Sequence, residues 1–168
     1  MVLCVNLSAK SVTDPQLPDH IADELQAHDA DGRGLCFEVT ETAAVVNIDR
    51  ARQFASLVGE LGCEFALDDF GAGFASFYYL KHLAFDLLKI DGEFVTDLAN
   101  SLTNKLVVKA VVDIARGLGK RTIAEFVEDE ETLELLRGMG VDFAQGFYVA
   151  KPAPLPLVEA PLPHLENA

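Results

Sequence analysis

Two adjacent carboxylates, Asp68 and Asp69, close the apolar run Phe65-Ala66-Leu67, and a glycine-bearing loop, Phe70-Gly71-Ala72-Gly73, follows at once. Successive side chains on a strand point to opposite faces, so both carboxylates reach one site only where the strand ends and twists. Two like charges held that close need a cation between them, or one must keep its proton. Asn6, Glu38, Lys89, Glu125 and Gln145 sit in comparable places, each near the end of its own short apolar segment. Oxygen donors without His or Cys suit hard cations such as Mg²⁺ or Mn²⁺. Several carboxylates can hold two such ions about 3.5–4 Å apart, the arrangement used for phosphoryl hydrolysis. A lysine there can orient the attacking water or stabilise the charge that develops.

The elements that position these residues follow from hydrophobic patterning. Residues 2–7, 35–40, 64–68, 86–90, 121–125 and 142–146 are short, largely apolar segments with a polar residue near the end, the pattern of strands. Amphipathic helical patterns lie between them. The clearest covers 103–118, with Leu106, Val107, Ala110, Val111, Ile114, Ala115 and Leu118 on one face. A second covers 48–61, with Phe54, Leu57, Val58 and Leu61 inward and Gly62 as its stop. Asp129, Glu130 and Glu131 crowd the first turn of a helix through Leu136, where they compensate the macrodipole.

Strand and helix alternating across six strands implies an α/β fold with a parallel sheet and helices outside. An open sheet gathers ligand residues mainly at its switch point, whereas a barrel brings every strand end to one mouth. Polar residues at six different strand ends therefore favour a (β/α) TIM-like barrel.

The bulk composition narrows the class. The chain has 168 residues, half of them hydrophobic, and a mean hydropathy of +0.21, enough for one packed domain. No apolar run approaches the ~20 residues that span a bilayer. The first residues lack a basic n-region and a cleavage site, so a cytoplasmic protein is expected. Cys4, Cys36 and Cys63 have no metal-type spacing and are expected as buried thiols. His20, His28, His82 and His164 are expected on the surface or on helix faces. The formal charge of −14 disfavours binding to a nucleic-acid polymer, and a phosphate-ester ligand would need metal ions to mediate.

Several motifs occur in order: Val5-Asn6-Leu7-Ser8, Phe37-Glu38-Val39-Thr40-Glu41-Thr42, Leu67-Asp68-Asp69-Phe70-Gly71 and Leu88-Lys89-Ile90-Asp91, then Ala124-Glu125-Phe126-Val127-Glu128 and Gln145-Gly146-Phe147-Tyr148, with Lys151-Pro152 behind. In that order they resemble the EAL domain, the bacterial cyclic di-GMP phosphodiesterase family. The resemblance implies hydrolysis of one phosphodiester bond of cyclic di-GMP to linear pGpG. It implies Asn6, Glu38 and Asp68 as ligands of one metal, with Asp68 bridging to a second beside Asp69 and Glu125. Lys89 would hold the attacking water, and Glu125 is also the candidate general base. Glu41 would brace the loop after Asp69, and Glu128 and Gln145 would support the site and the nucleotide.

The pattern also has departures. The eponymous Glu-Ala-Leu segment does not occur, and six strands stand where the family has eight, so an incomplete barrel is expected. Its completion is expected from a preceding N-terminal segment or from a homodimer. Hydrolysis by this chain alone is expected to be weak or absent, and a non-catalytic nucleotide-binding or protein-interaction module is the alternative. Ala72 and Ala75 stand where the family usually has hydroxyls. Phe126 replaces a glycine, a residue that would permit positive φ or close backbone approach. Residues 1–152 are expected to form the barrel portion. Residues 153–168 belong to a proline-rich tail that, counted from Pro152, holds five of the seven prolines.

Overall fold

A computed structural model describes residues 2–71 and 80–153. They form two compact units, Val2–Leu87 and the segment from Leu88 onward.

In the first unit, β1 (Leu3–Leu7), β2 (Leu35–Thr40) and β3 (Glu64–Phe70) lie side by side in that order, and both ladders are parallel. The crossover from β1 to β2 carries α1 (Ala9–Val12) and α2 (Leu17–Ala27), and that from β2 to β3 carries α3 (Glu41–Val46) and α4 (Ile48–Glu60). Local chemistry sets the boundaries. Thr40 ends β2 and caps α3 by accepting a hydrogen bond from Ala43 N at 3.2 Å. Asn47 caps α4 in the same way through Arg50 N. Past the C-terminus of α4, Gly62 adopts φ +83, as its role as a stop requires.

β3 is covered almost throughout, so it reads as an unbroken apolar run up to its two carboxylates. Phe54 from α4 meets Phe37 of β2 edge-on at 5.8 Å and Phe65 of β3 at 6.2 Å. Such pairs add about 0.5–1.5 kcal/mol each beyond the area they bury. The inward face of α4 is Ala51, Phe54, Ala55 and Val58. Leu57, expected inside, is 36% exposed.

In the second unit, β4 (Leu87–Ile90), β5 (Arg121–Ala124) and the two-residue β6 (Phe143–Ala144) are neighbours in that order, with β5 and β6 parallel. A short α5 (Gly92–Val95) and the long α6 (Leu102–Gly117) link β4 to β5, and α7 (Glu130–Met139) links β5 to β6. Asp129 caps α7 through Thr132 N at 2.7 Å, Glu130 and Glu131 occupy its first turn, and Gly140 at φ +83 ends it. The buried face of α6 is Val108, Val111, Val112 and Ala115, so Val111 and Ala115 lie inside as expected, whereas Leu106, Ala110 and Leu118 of the expected stripe are exposed. Leu106 and Leu118 are 62% and 48% exposed. Leu106 lies five positions from Val111, about 140° round the helix at 100° per residue, so the two cannot share one narrow face.

Two aspartates fasten the starts of the strands. Asp86, just before β4, accepts from Phe65 N at 3.0 Å, and its own N–H donates to Phe65 O at 2.8 Å. Asp142, just before β6, accepts from Thr122 N at 2.7 Å and from Thr122 Oγ1 at 3.0 Å.

All six expected strands are present, with helices between them. Cys36 and Cys63 are buried, but Cys4 is exposed, contrary to expectation. It lies on β1, whose only ladder partner among the described residues is β2. His20 on α2 and His28 just past its end are exposed and His82 is half-buried, whereas His164 lies outside the described residues. Ala72, Ala75 and the tail from residue 154 also lie outside them.

Candidate functional site

Strand register decides which polar residues share a face. Asn6 of β1 is the direct partner of Glu38 of β2, and Glu38 in turn is level with Ala66 of β3. Asp68 lies two residues beyond Ala66, level with Thr40. Side chains on a strand alternate between faces with a period of two, so Asn6, Glu38 and Asp68 lie on one face of the three strands. Asn6 on the outer strand is exposed, while Glu38 and Asp68 retain only 3% and 8% of their exposure.

By simple alternation Asp69 would point to the other face. Its φ of +53 breaks the alternation. A left-handed turn at a non-glycine residue costs about 1–3 kcal/mol and is found where the surroundings impose it. Here it leaves carboxylate oxygens of Asp68 and Asp69 within 4.8 Å of each other. The Asp69 N–H donates to Asp68 Oδ1 at 3.0 Å. Glu41, the first residue of α3 and 2% exposed, accepts from Gly71 N at 3.3 Å. That bond ties the chain leaving β3 to the helix after β2.

The donor chemistry of this unit fits a hard divalent cation. Glu38 and Asp68 are buried acids on one face, with an amide beside them, and all the donors are oxygen. Buried like charges are costly unless a positive charge accompanies them.

In the second unit, Lys89 of β4 and Glu125, just past β5, form an ion pair of 2.8 Å with side-chain exposures of 3% and 12%. The next residue, Phe126, has φ +55. The position therefore demands the conformation that glycine adopts freely, and here a phenylalanine adopts it. Backbone bonds hold the segment on both sides of the strained residue. Gln145 N donates to Ala124 O at 2.8 Å, Val127 N to Gln145 O at 3.0 Å, and Tyr148 N to Val127 O at 3.0 Å. Gly146 must remain a glycine for this contact, since a Cβ there would overlap the Val127 backbone. The side chains of Glu128 and Gln145 are exposed, and it is the Gln145 backbone that joins the β5 end.

Sequence reasoning did not single out Asp86, Thr122, Asp142 or Gly92. The first three are strand fasteners, and the available signal was an aspartate directly before each of the runs Leu87-Leu88 and Phe143-Ala144. Gly92 is special because the Phe126 ring occupies the space of its missing Cβ. Only the fold brings those two together.

Residues 1–152 match the family model described as the EAL domain. The chain belongs to the EAL domain family. Among similar proteins, it is 40% identical over 153 residues to the cyclic di-GMP phosphodiesterase PdeB of Shewanella oneidensis, covering 91% of this chain and 18% of that protein. It is 37% identical over 151 residues to the cyclic di-GMP phosphodiesterase PdeF of Escherichia coli, covering 90% of this chain and 20% of that one. The chain thus spans about a fifth of the length of these curated relatives. Among solved structures, the FimX EAL domain of Pseudomonas aeruginosa bound to c-di-GMP superposes with a TM-score of 0.86 at 32% identity. That match covers 90% of this chain and 62% of the FimX chain. The PaMucR phosphodiesterase in its c-di-GMP complex also gives 0.86 at 34% identity, over 92% and 62% of the two chains. This EAL domain accordingly has a TIM-like (β/α) fold, with six strands among the described residues. No helix among the described residues is long and apolar enough to cross a membrane.

Proposed function

We propose that this EAL domain binds cyclic di-GMP and carries the residues for its hydrolysis to pGpG. The single observation behind this reading is the strand register that aligns Asn6, Glu38 and Asp68 on one face, with Asp69 turned toward Asp68. Asn6, Glu38, Asp68, Asp69 and Glu125 would hold Mg²⁺ or Mn²⁺. Bound metal would polarise the phosphate and lower the pKa of a coordinated water.

The protein's own groups do the rest. Lys89, aimed by its ion pair with Glu125, orients the attacking water and meets the negative charge on the phosphoryl oxygens. Glu125 takes the water's proton as the new P–O bond forms. The opposite P–O bond breaks, its oxygen takes a proton from solvent to become the ribose hydroxyl of linear pGpG, and Glu125 returns its proton to solvent. Glu41 fixes the loop after Asp69 through Gly71 N, and Glu128 and Gln145 support the nucleotide.

Cyclic di-GMP is the expected partner, with a homodimer or a further N-terminal segment completing the barrel. The exposed Leu3 and Cys4 on β1 support such completion. The domain works in the cytoplasm, where Cys4, Cys36 and Cys63 remain reduced. Residues 1–152 act as the domain and 153–168 as its extension.

Because the chain spans 62% of the FimX and PaMucR chains, the 168-residue chain alone is expected to hydrolyse cyclic di-GMP weakly or not at all. Incubation with Mg²⁺ or Mn²⁺ and chromatography of pGpG tests this, and turnover at a rate usual for the family would sink it. The alternative is a module that binds the nucleotide or a protein without hydrolysis. Calorimetry with cyclic di-GMP and Ca²⁺ separates the two: heat of binding without turnover favours nucleotide binding, and no heat favours a protein-interaction role.

A further inference from the structure

Phe126 combines two features seldom found together in a folded chain. Its backbone is left-handed at φ +55, which disfavours a bulky side chain, and 61% of the residue is exposed. Glycine would meet the backbone demand without strain, and core packing does not explain an aromatic that stands in solvent. Strain of this kind persists where the surroundings impose it and clusters at ligand sites.

The surroundings are well defined. Ala124, Val127 and Tyr148 are locked by the backbone bonds to residues 145–148, so the chain on both sides of Phe126 is fixed. The ring lies against Gly92 after β4, filling the space of the absent Cβ. It is thus seated from below and open to solvent elsewhere. Glu125, its immediate neighbour, forms the buried ion pair with Lys89. The result is a preset aromatic surface one residue from the proposed reacting groups.

We infer that Phe126 is a nucleobase platform, on whose exposed ring one guanine of the cyclic dinucleotide stacks. This rests on the reading that the domain binds cyclic di-GMP. A purine offers a flat π-face matched to such a ring, and stacking needs no further polar group from the protein. Phe126 is in this sense a positioning residue. It fixes the base and thereby the phosphodiester beside Glu125.

The test is calorimetry of the 168-residue chain with cyclic di-GMP and Ca²⁺, comparing wild type with Phe126→Leu, Phe126→Gly, Phe126→Tyr and Gly92→Ala. Phe126→Leu and Phe126→Gly are expected to weaken binding at least about tenfold, within the range for loss of one base stack. Phe126→Tyr should keep the wild-type affinity. Gly92→Ala retains the ring but displaces it, and should weaken binding as well. A cyclic dinucleotide carrying 2-aminopurine should be quenched by wild type and by Phe126→Tyr, but not by Phe126→Leu. Thermal unfolding guards against mere misfolding: Phe126→Gly, relieved of strain, should melt no lower than wild type while binding more weakly. Wild-type affinity and full quenching in Phe126→Leu would overturn the platform and leave nucleotide binding standing. No binding by the wild-type chain would overturn the nucleotide reading itself, and the platform with it.

Discussion

Lys89 Nζ lies 2.8 Å from a carboxylate oxygen of Glu125, with 3% and 12% of the two side chains exposed. Both charges are largely out of water, and a pair of this kind is defined more by what its rupture costs than by what it adds. Replacing Lys89 with Met leaves Glu125 buried without this counter-charge. The expected loss is about 3–5 kcal/mol in urea unfolding. The double variant Lys89→Met with Glu125→Leu should recover most of it. A single-variant loss below about 1 kcal/mol would show that the pair is not desolvated as described.

The Glu41–Gly71 bond links α3 to the chain just beyond the two aspartates. Glu41→Ala removes a charged acceptor from a site 2% exposed. The expected cost is about 1–3 kcal/mol, with faster hydrogen exchange at the Gly71 amide. Glu41→Gln, which keeps an acceptor, should fall between. Unchanged exchange at Gly71 in Glu41→Ala counts against the bracing role.

Asp142 accepts two hydrogen bonds from Thr122, a residue 1% exposed at the start of β5. Asp142→Ala should destabilise by about 2–4 kcal/mol, since two bonds to a charged acceptor are lost and a buried N–H is left unmet. It should leave the first unit's aspartates untouched. Equilibrium denaturation gives the value.

The thiols make a pH prediction. Hydrogen bonding with Cys4 and, next, burial push the Cys36 thiol far above its ordinary value of 9.0, and burial likewise raises Cys63. For an acid whose folded pKa is raised, stability is fully present below the unfolded pKa and falls as pH climbs past it. Stability should therefore hold up to about pH 9 and decline beyond it, more steeply in wild type than in Cys36→Ala. In the native protein a thiol reagent should modify the exposed Cys4 first, with Cys36 and Cys63 reacting only on unfolding. Equal rates at all three thiols would contradict the burial described.

Much of the fold was legible because its signals are local. Six apolar runs between helical stretches, Gly62 as a stop and the acidic start of α7 follow from residue type and spacing alone, although Asp129 proves to be the cap rather than part of the first turn. Helix faces were less legible. In α6 apolar residues occupy most of the circumference, so only the packed partner selects Val108, Val111, Val112 and Ala115. The exposure of Cys4 was missed for a related reason, since an apolar strand looks alike whether or not another element covers it.

The sequence by itself determined the residue types of the site and the family, because ordered motifs such as Leu67-Asp68-Asp69-Phe70-Gly71 survive without any knowledge of geometry. The resemblance to the family also marked position 126 as one where glycine is usual. Only tertiary structure decided which groups meet. Register between separate strands placed Asn6 beside Glu38, a left-handed turn brought Asp69 round to Asp68, and Glu41 reached Gly71 thirty residues away. It also seated the Phe126 ring on Gly92. These relationships depend on hydrogen-bond ladders and steric contacts between distant segments, which no local pattern encodes.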